Sequence, residues 1–285
     1  MDNLKNKMTN LDWEINIQPV YTTGERLLRG YQTIVRDSKD ENGKDIVLCV
    51  MKNTYNPRTN KEFSQIVNEL ALVSNSKTPY YSEYDSGRKV LAFLESPKKT
   101  TIGGHKISDK ILIGNSFDGS SSLFIATVLN YNGCSFTYLN SSASFRVSHR
   151  SKDLEQCFDY IEMLKDYESE KQILFNRFEE MKDTLLTDDT VEDFIKAVVD
   201  YKTEDEDGNE VDISTRTRNK INDLKLSIEK KFNEHGKNVW GLFNGVTHYT
   251  TYVYTGNRRR NIEGNMYGAQ NTMNQRALNY CLDLI

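Results

Sequence analysis

Two different spacings of apolar residues divide the chain near residue 150. Before that point apolar and polar side chains alternate, as in Trp13, Ile15 and Ile17, and a period of two predicts β-strands. Turn pairs such as Asn42-Gly43 separate the runs and favour hairpins. Strands are predicted over residues 12–22, 27–36, 46–51, 80–84, 90–94, 110–114, 123–131, 134–139 and 145–149.

One helix interrupts the predicted strands. Thr59 and Glu62 have the spacing of a capping box, in which each residue bonds the backbone N–H of the other. The apolar residues that follow lie at helical spacing: Phe63, Ile66, Val67 and Leu70.

After residue 150 the spacing becomes helical throughout. All four prolines lie before Lys98, so nothing in the second half breaks a helix in the way that proline does. Apolar stripes begin at Leu154, Leu174, Val191, Ile221 and Val239, and a last helical piece is predicted from Thr272 to Leu284. The sequence therefore predicts an α+β protein, with a β-rich half over residues 1–150 and a helical half over residues 151–285 packed on it.

Composition narrows the function classes. The net charge of −4 argues against a protein that coats duplex DNA by bulk charge, although it permits a local basic groove. No apolar run reaches the length of a membrane span and no signal segment opens the chain, so we expect a cytoplasmic protein without membrane contact. The four cysteines and four histidines are scattered, which predicts reduced thiols and no metal site.

The most unusual segment is Asn115-Ser116-Phe117-Asp118-Gly119-Ser120-Ser121. Its glycine and small polar residues suit a loop whose backbone N–H groups cradle a phosphate. The alternative is an ordinary hairpin turn shaped by Asp118-Gly119, and the residues favour that alternative. No glycine-rich nucleotide-binding loop of standard spacing is present.

Two basic segments are candidates for contact with a nucleic-acid backbone. On a strand, Arg146 and Arg150 share one face, where they would bind phosphates. Arg258, Arg259 and Arg260 form a basic triplet in an irregular segment. A solvated strand end and a solvated loop are the alternative interpretations.

Aromatic residues supply two more candidates. Trp240, Asn244 and Tyr249 lie within a predicted helix, where a core helix with internally bonded polar groups is the favoured alternative. The strand tyrosines could stack bases, although strand aromatics are more often core residues: Tyr31, Tyr55, Tyr80, Tyr81 and Tyr84.

These residues together resemble a phage- and plasmid-like protein family, the domain of unknown function number 932. The matching positions run along nearly the whole chain, which favours one composite unit: Leu11-Asp12-Trp13, Val35-Arg36-Asp37, Ser86 to Val90, Asn115, Ser116, Asp118, Gly119, Ser120, Ser121, Cys134, Arg146, His149, Trp240, Phe243, Asn244, Val246, Thr247 and Tyr249. Phe117 stands where the family often has histidine, which weakens acid–base chemistry there.

The resemblance implies carriage by phages, prophages and plasmids, and it transfers no activity. We expect a protein that binds single-stranded nucleic acid in replication or recombination, in the manner of annealing proteins, as a homo-oligomer. A modulator of a host or phage protein is the first alternative. A metal-dependent nuclease or nucleotide-handling enzyme using magnesium at Asp118 is the second. A non-enzymatic protein without a cofactor is favoured.

Overall fold

A computed structural model of the chain describes residues 11–76, 78–102, 105–131, 134–138, 144–149, 172–202, 211–254, 264 and 268–285. The fold is α+β, with strands in the first half and helices mostly in the second, as predicted. The chain separates into two compact units. We call them the sheet unit (Met1–Lys99, Asp109–Thr127 and Leu139–Glu168) and the helical unit (Thr100–Ser108, Val128–Tyr138 and Ser169–Ile285).

The sheet unit opens with three antiparallel strands in the order β1-β2-β3: β1 (Ile15–Tyr21), β2 (Leu27–Lys39) and β3 (Asp45–Lys52). Ile34 lies opposite Ile17 on β1 and opposite Cys49 on β3, so these three side chains share one face. The register shifts between Ile34 and Val35, which places a β-bulge in the middle of β2.

Helix α1 (Asn60–Val73) follows, and it begins as the sequence predicts. The Thr59 side chain accepts a hydrogen bond from the Glu62 N–H, and the Glu62 carboxylate accepts one from the Thr59 N–H at 2.9 Å. Glu14, just before β1, adds a second cap, because its carboxylate accepts the N–H groups of Asn60 and Lys61. The helix start is therefore tied to the beginning of the described chain.

A second sheet has the order β4-β5-β6-β7-β8, with β9 also paired to β7. Its strands are β4 (Tyr80–Tyr84), β5 (Lys89–Ile102), β6 (His105–Ser116), β7 (Leu123–Tyr131), β8 (Cys134–Tyr138) and β9 (Ser144–Val147). β5 and β6 are longer than the predicted strands over residues 90–94 and 110–114. The alternation of apolar and polar residues does not reveal these extensions, because they contain charged residues such as Lys98 and Asp109.

The core of the sheet unit is formed by side chains of α1 and of strands from both sheets. Val90, Ala92 and Leu94 supply one face of β5, while Leu91 and Phe93 on the opposite face are buried as well. The buried apolar residues of this core are Leu11, Trp13, Ile34, Leu48, Phe63, Ile66, Val67, Leu70, Val90, Ala92, Leu94, Ile111, Ile113, Phe117, Leu123, Ile125 and Val147.

The helical unit contains a helix over residues 172–183 (α2), α3 (Asp188–Val199), α4 (Thr215–His235), α5 (Val239–His248) and α6 (Ala269–Asp283). A π-helical turn (Tyr249–Val253) follows α5. Gly236 ends α4 with a φ of 87°, at the position predicted for it. A Cβ on Gly245 would lie 2.6 Å from the Cα of Ile228, so glycine permits the close approach of α5 to α4. In the part of the chain that the structure describes, no helix combines the length and apolar character that a membrane span needs.

Candidate functional site

The turn between β6 and β7, from Asn115 to Ser121, is held by its own side chains. The Ser116 hydroxyl donates to the carbonyl of Ser121 at 2.7 Å and accepts the Ser121 N–H at 3.1 Å. The Asp118 carboxylate accepts the Ser120 N–H at 2.9 Å. Gly119 has a φ of 70°, the left-handed conformation that glycine adopts without strain. We call this segment the serine turn.

Two further residues bond the serine turn: Cys49 on β3 and Tyr55, which follows β3. The Tyr55 hydroxyl donates to the Ser116 carbonyl at 2.9 Å, and burial raises the pKa of Tyr55. The Cys49 thiol donates to the Phe117 carbonyl at 2.9 Å. Burial, with the nearby Asp118 carboxylate, raises the pKa of Cys49 to about 11, so this thiol stays protonated and is a poor nucleophile at neutral pH.

His149 closes the far side of the serine turn. Its Nε2 lies 3.0 Å from the Ser121 carbonyl, and its ring packs against Tyr55 with centroids 5.0 Å apart. Burial first, and then the Arg58 guanidinium, lowers the pKa of His149. The imidazole is therefore neutral at pH 7, with Nε2 donating to the carbonyl oxygen.

A buried arginine accompanies these groups. The Arg58 side chain is 2% exposed, and its guanidinium lies 4.0 Å from the Glu62 carboxylate. Asn115 Nδ2 donates to the Arg58 carbonyl at 3.1 Å. Asn115 Oδ1 and His149 Nδ1 are buried without a hydrogen-bond partner among the described residues. The serine turn is thus the rim of a polar cluster inside the sheet unit.

These bonds bear on the phosphate cradle predicted as one interpretation of the serine turn. The N–H groups of Ser120 and Ser121 already bond the side chains of Asp118 and Ser116. The Phe117 N–H donates to the Arg88 carbonyl at 2.7 Å. A phosphate would have to displace these partners, so the geometry supports the alternative of a hairpin turn.

The predicted alternation on β9 is present. Arg146 and Ser148 are exposed, whereas Val147 and His149 are buried. Arg146 pairs with Phe124 of β7 through the backbone, and its side chain is available to an anion from solvent. Arg150 and the triplet Arg258, Arg259 and Arg260 lie outside the described residues.

The predicted helical block lies in the core of the helical unit. Trp240 packs against Phe178 with ring centroids 5.1 Å apart, and Tyr249 is 3% exposed. The Asn244 side chain is buried and donates to the Trp240 carbonyl one turn earlier at 2.8 Å. These positions stabilise the packing of α5, which agrees with the core interpretation of this block.

An exposed hairpin is the feature that the sequence pattern did not reveal. Every residue from Asn16 to Tyr31 except the half-buried Val20 is exposed, and we call this segment the exposed hairpin. It presents large apolar side chains to solvent: Ile17, Tyr21, Leu27, Leu28 and Tyr31. Alternation of polar and apolar residues predicts one buried strand face, and here that face extends beyond the core.

Positive charge accompanies the apolar side chains of the exposed hairpin. Arg26 and Arg29 lie within it, and Lys52 on β3 lies directly opposite Tyr31. Glu25 is the acidic residue between Asn16 and Tyr31. Of the five tyrosines considered for base stacking, Tyr31 is 43% exposed while Tyr84 is buried and Tyr80 stacks on Phe93.

No metal centre is apparent among the residues that the structure describes. None of their histidine, cysteine, aspartate and glutamate side chains come together in a group of three suited to a metal ion. Asp118 bonds within its own turn instead, as described above.

Comparison with known proteins identifies the family of the chain. The family model described as a domain of unknown function, DUF932, matches residues 47–278. Neither the curated proteins nor the solved structures include a significant match to this chain.

Proposed function

Since the chain belongs to the DUF932 family, whose description names no activity, we propose its function from its surface: it binds single-stranded nucleic acid through the exposed hairpin. The protein would be of the phage and plasmid type and act in replication or recombination inside a bacterial cell. Annealing of complementary strands is the activity that such a surface serves, and a homo-oligomer would align several hairpins along one strand.

The observation that carries this proposal is the combination of aromatic and basic side chains on the exposed hairpin. Single-stranded nucleic acid is bound by aromatic rings that stack on bases and by cations that follow the phosphates. Tyr21 and Tyr31 are 59% and 43% exposed, and Arg26, Arg29 and Lys52 accompany them. Stacking tolerates every base, so we expect binding without strong sequence preference.

The net negative charge of the chain disfavours nucleic-acid binding, but the charge near the exposed hairpin is positive. The chain has a net charge of −4, but residues 16–31 contain two arginines against one glutamate, and Lys52 adds a third cation opposite Tyr31. Exposed charges act within a Debye length of about 10 Å at 0.1 M salt, so the local balance matters more than the total. Arg146, also exposed in the sheet unit, is a further backbone contact under this proposal.

A salt series of fluorescence anisotropy with a labelled thymidine oligonucleotide tests the proposal. The double variant Arg26→Gln/Arg29→Gln should weaken binding and reduce the slope of log affinity against log salt by about 1.4, or ~0.7 for each lost phosphate contact. Tyr31→Ser should cost about 1–3 kcal/mol of binding free energy through lost stacking.

Lys39→Gln is the matched control for these variants. Lys39 lies at the opposite end of β2, is exposed, and bonds Asp45 at 2.7 Å. Its substitution should leave affinity and salt slope unchanged. Absence of binding at low salt and micromolar protein, or equal losses in the control, would refute the proposal.

A protein-docking surface is the second candidate, favoured by Leu27 and Leu28, which are 51% and 39% exposed and offer no chemistry specific to nucleic acid. Under this reading the leucines would insert into a partner protein, and oligonucleotide binding would be absent. Leu27→Ser/Leu28→Ser should then abolish capture of a phage or host protein, while Arg26→Gln/Arg29→Gln retains it.

A further inference from the structure

Helices α4 and α5 place two basic groups in direct contact within the helical unit. Lys230 Nζ lies 3.1 Å from His248 Nε2. An ammonium group only donates hydrogen bonds, so Nε2 accepts and the imidazole is neutral, with its proton on Nδ1. A protonated His248 would put two positive groups at this distance, and an anion bound by both would offset their repulsion.

The surrounding charges make the contact more positive. Lys231, the next residue on α4, is buried, and its ammonium lies 2.5 Å from the Glu234 carboxylate. Glu234 also lies 3.7 Å from His235 Nε2. The carboxylate that acts on His248 is therefore already engaged by Lys231. Burial, and then Lys230 and Lys231, lower the pKa of His248, against which Glu234 acts weakly.

The other contacts of the His248 ring within the described part of the chain supply no further hydrogen bond and no negative charge. Nδ1, which carries the proton in the neutral tautomer, is buried and has no hydrogen-bond partner among the described residues. The ring packs against Tyr252 with centroids 5.4 Å apart, and Tyr252 is 57% exposed in the π-helical turn. Burial raises the pKa of the nearby Cys134 thiol, so the thiol stays protonated and adds no negative charge.

We propose that Lys230 and His248 form a binding site for a phosphate group, with Tyr252 beside it. On binding, one phosphate oxygen accepts a hydrogen bond from the Lys230 ammonium and another accepts one from His248 Nε2, which takes up a proton from solvent. The lysine-to-imidazole hydrogen bond is replaced by two bonds to the anion, each between opposite charges. This site lies in the helical unit, whereas the exposed hairpin belongs to the sheet unit.

The experiment follows the four histidines of the full chain by NMR, with carbon-13 at Cε1, and assigns His248 through His248→Asn. Inorganic phosphate should raise the pKa of His248 by about one unit or more, as an opposite charge in contact does, while chloride at equal ionic strength should not. Lys230→Gln should abolish the shift, and Lys230→Arg should restore most of it.

Lys225→Gln is the matched control, because Lys225 lies on the same helix and bonds Glu192 instead of a histidine. It should keep the full phosphate effect, and an unchanged His149 resonance in every variant reports an intact sheet unit. An equal shift in Lys230→Gln, or no shift in the unchanged protein with any phosphate-bearing probe, overturns the site.

A second probe, a thymidine oligonucleotide without a terminal phosphate, identifies the source of the group. A shift with inorganic phosphate alone means that the site takes a free phosphate or a phosphate monoester. A shift with the oligonucleotide means that it takes the diester backbone. Arg26→Gln/Arg29→Gln should leave the inorganic phosphate effect intact, so failure of the hairpin proposal and failure of this one are distinguishable.

Discussion

The serine turn and the exposed hairpin lie in the same unit, and they use their polar groups in opposite ways. In the serine turn, Ser116 and Asp118 bond the backbone of the turn itself, and Tyr55 and His149 bond it from outside. The exposed hairpin leaves its tyrosines and arginines facing solvent. The polar groups of the serine turn are used within the fold, whereas the side chains of the exposed hairpin remain accessible to a ligand.

The difference separates a distinctive sequence from a binding surface. The serine turn is the most recognisable segment of the chain, yet its bonds explain its composition without any ligand. The exposed hairpin has an ordinary strand composition, yet its apolar side chains remain uncovered. Unusual residues are expected wherever a backbone needs a special shape, whereas a binding site is marked by groups that the fold leaves unsatisfied.

Removing the central side chain of the serine turn tests the comparison most strongly. Phe117 is fully buried and packs 5.4 Å from Trp13, so Phe117→Ala should lower the free energy of unfolding by about 3–5 kcal/mol. Urea denaturation measures this loss. Oligonucleotide affinity of the folded protein, measured well below its melting temperature, should be unchanged.

Ile17→Ala is the counterpart in the exposed hairpin. Ile17 is 53% exposed, so its truncation should change the free energy of unfolding by less than about 0.5 kcal/mol. Comparable losses for Phe117→Ala and Ile17→Ala would break the comparison, because the hairpin would then be part of the folded core.

Deleting one tyrosine hydroxyl at each region tests the comparison between the serine turn and the exposed hairpin further. Tyr55→Phe removes the hydroxyl that bonds the Ser116 carbonyl, and should cost about 1–3 kcal/mol of unfolding free energy. Tyr31→Phe removes an exposed hydroxyl and should cost little. Thermal unfolding followed by circular dichroism compares the two; equal melting temperatures would contradict the bonded role of Tyr55.

The smallest expected effect is on pH dependence. Burial lowers the pKa of His149 below its ordinary value of 6.5, so the unfolded chain binds a proton more readily than the folded one. The stabilising contribution is complete above pH 6.5 and is lost as the pH falls through the lowered pKa. His149→Gln should flatten this acid-side decline in urea midpoints, leaving the part due to His248, whose pKa is also lowered. Hairpin variants should keep the full decline.

Much of the local structure follows from the sequence. The capping box at Thr59, the end of α4 at Gly236 and the alternation at Arg146 to His149 depend on residues close together in the chain, so they were predictable. The same is true of the α+β class, which needs only the change of period near residue 150. The boundary between the two halves and the roles of Arg150 and Arg258 to Arg260 stay predictions.

What the sequence hid depends on distant contacts. From the sequence, Arg58 is expected at the surface because it is charged. It is buried because the start of α1 packs beside the serine turn. Tyr31 and Tyr84 look alike in the sequence, but one is exposed beyond the core and the other is buried within it. The Lys230–His248 contact joins residues on different helices, and no local pattern relates them.

The double cap on α1 limits which segments of the gene could be exchanged during evolution. Glu14 and the Trp13 carbonyl bond the start of α1 at Asn60 and Lys61, while the family match begins only at residue 47. The segment before the match is therefore integral to the fold: a gene that exchanged it for an unrelated one would lose the second cap, supplied by Glu14, and the Trp13 side chain from the core. In relatives, we expect positions 13, 14 and 60 to change together, while the tip of the exposed hairpin drifts with whatever it binds.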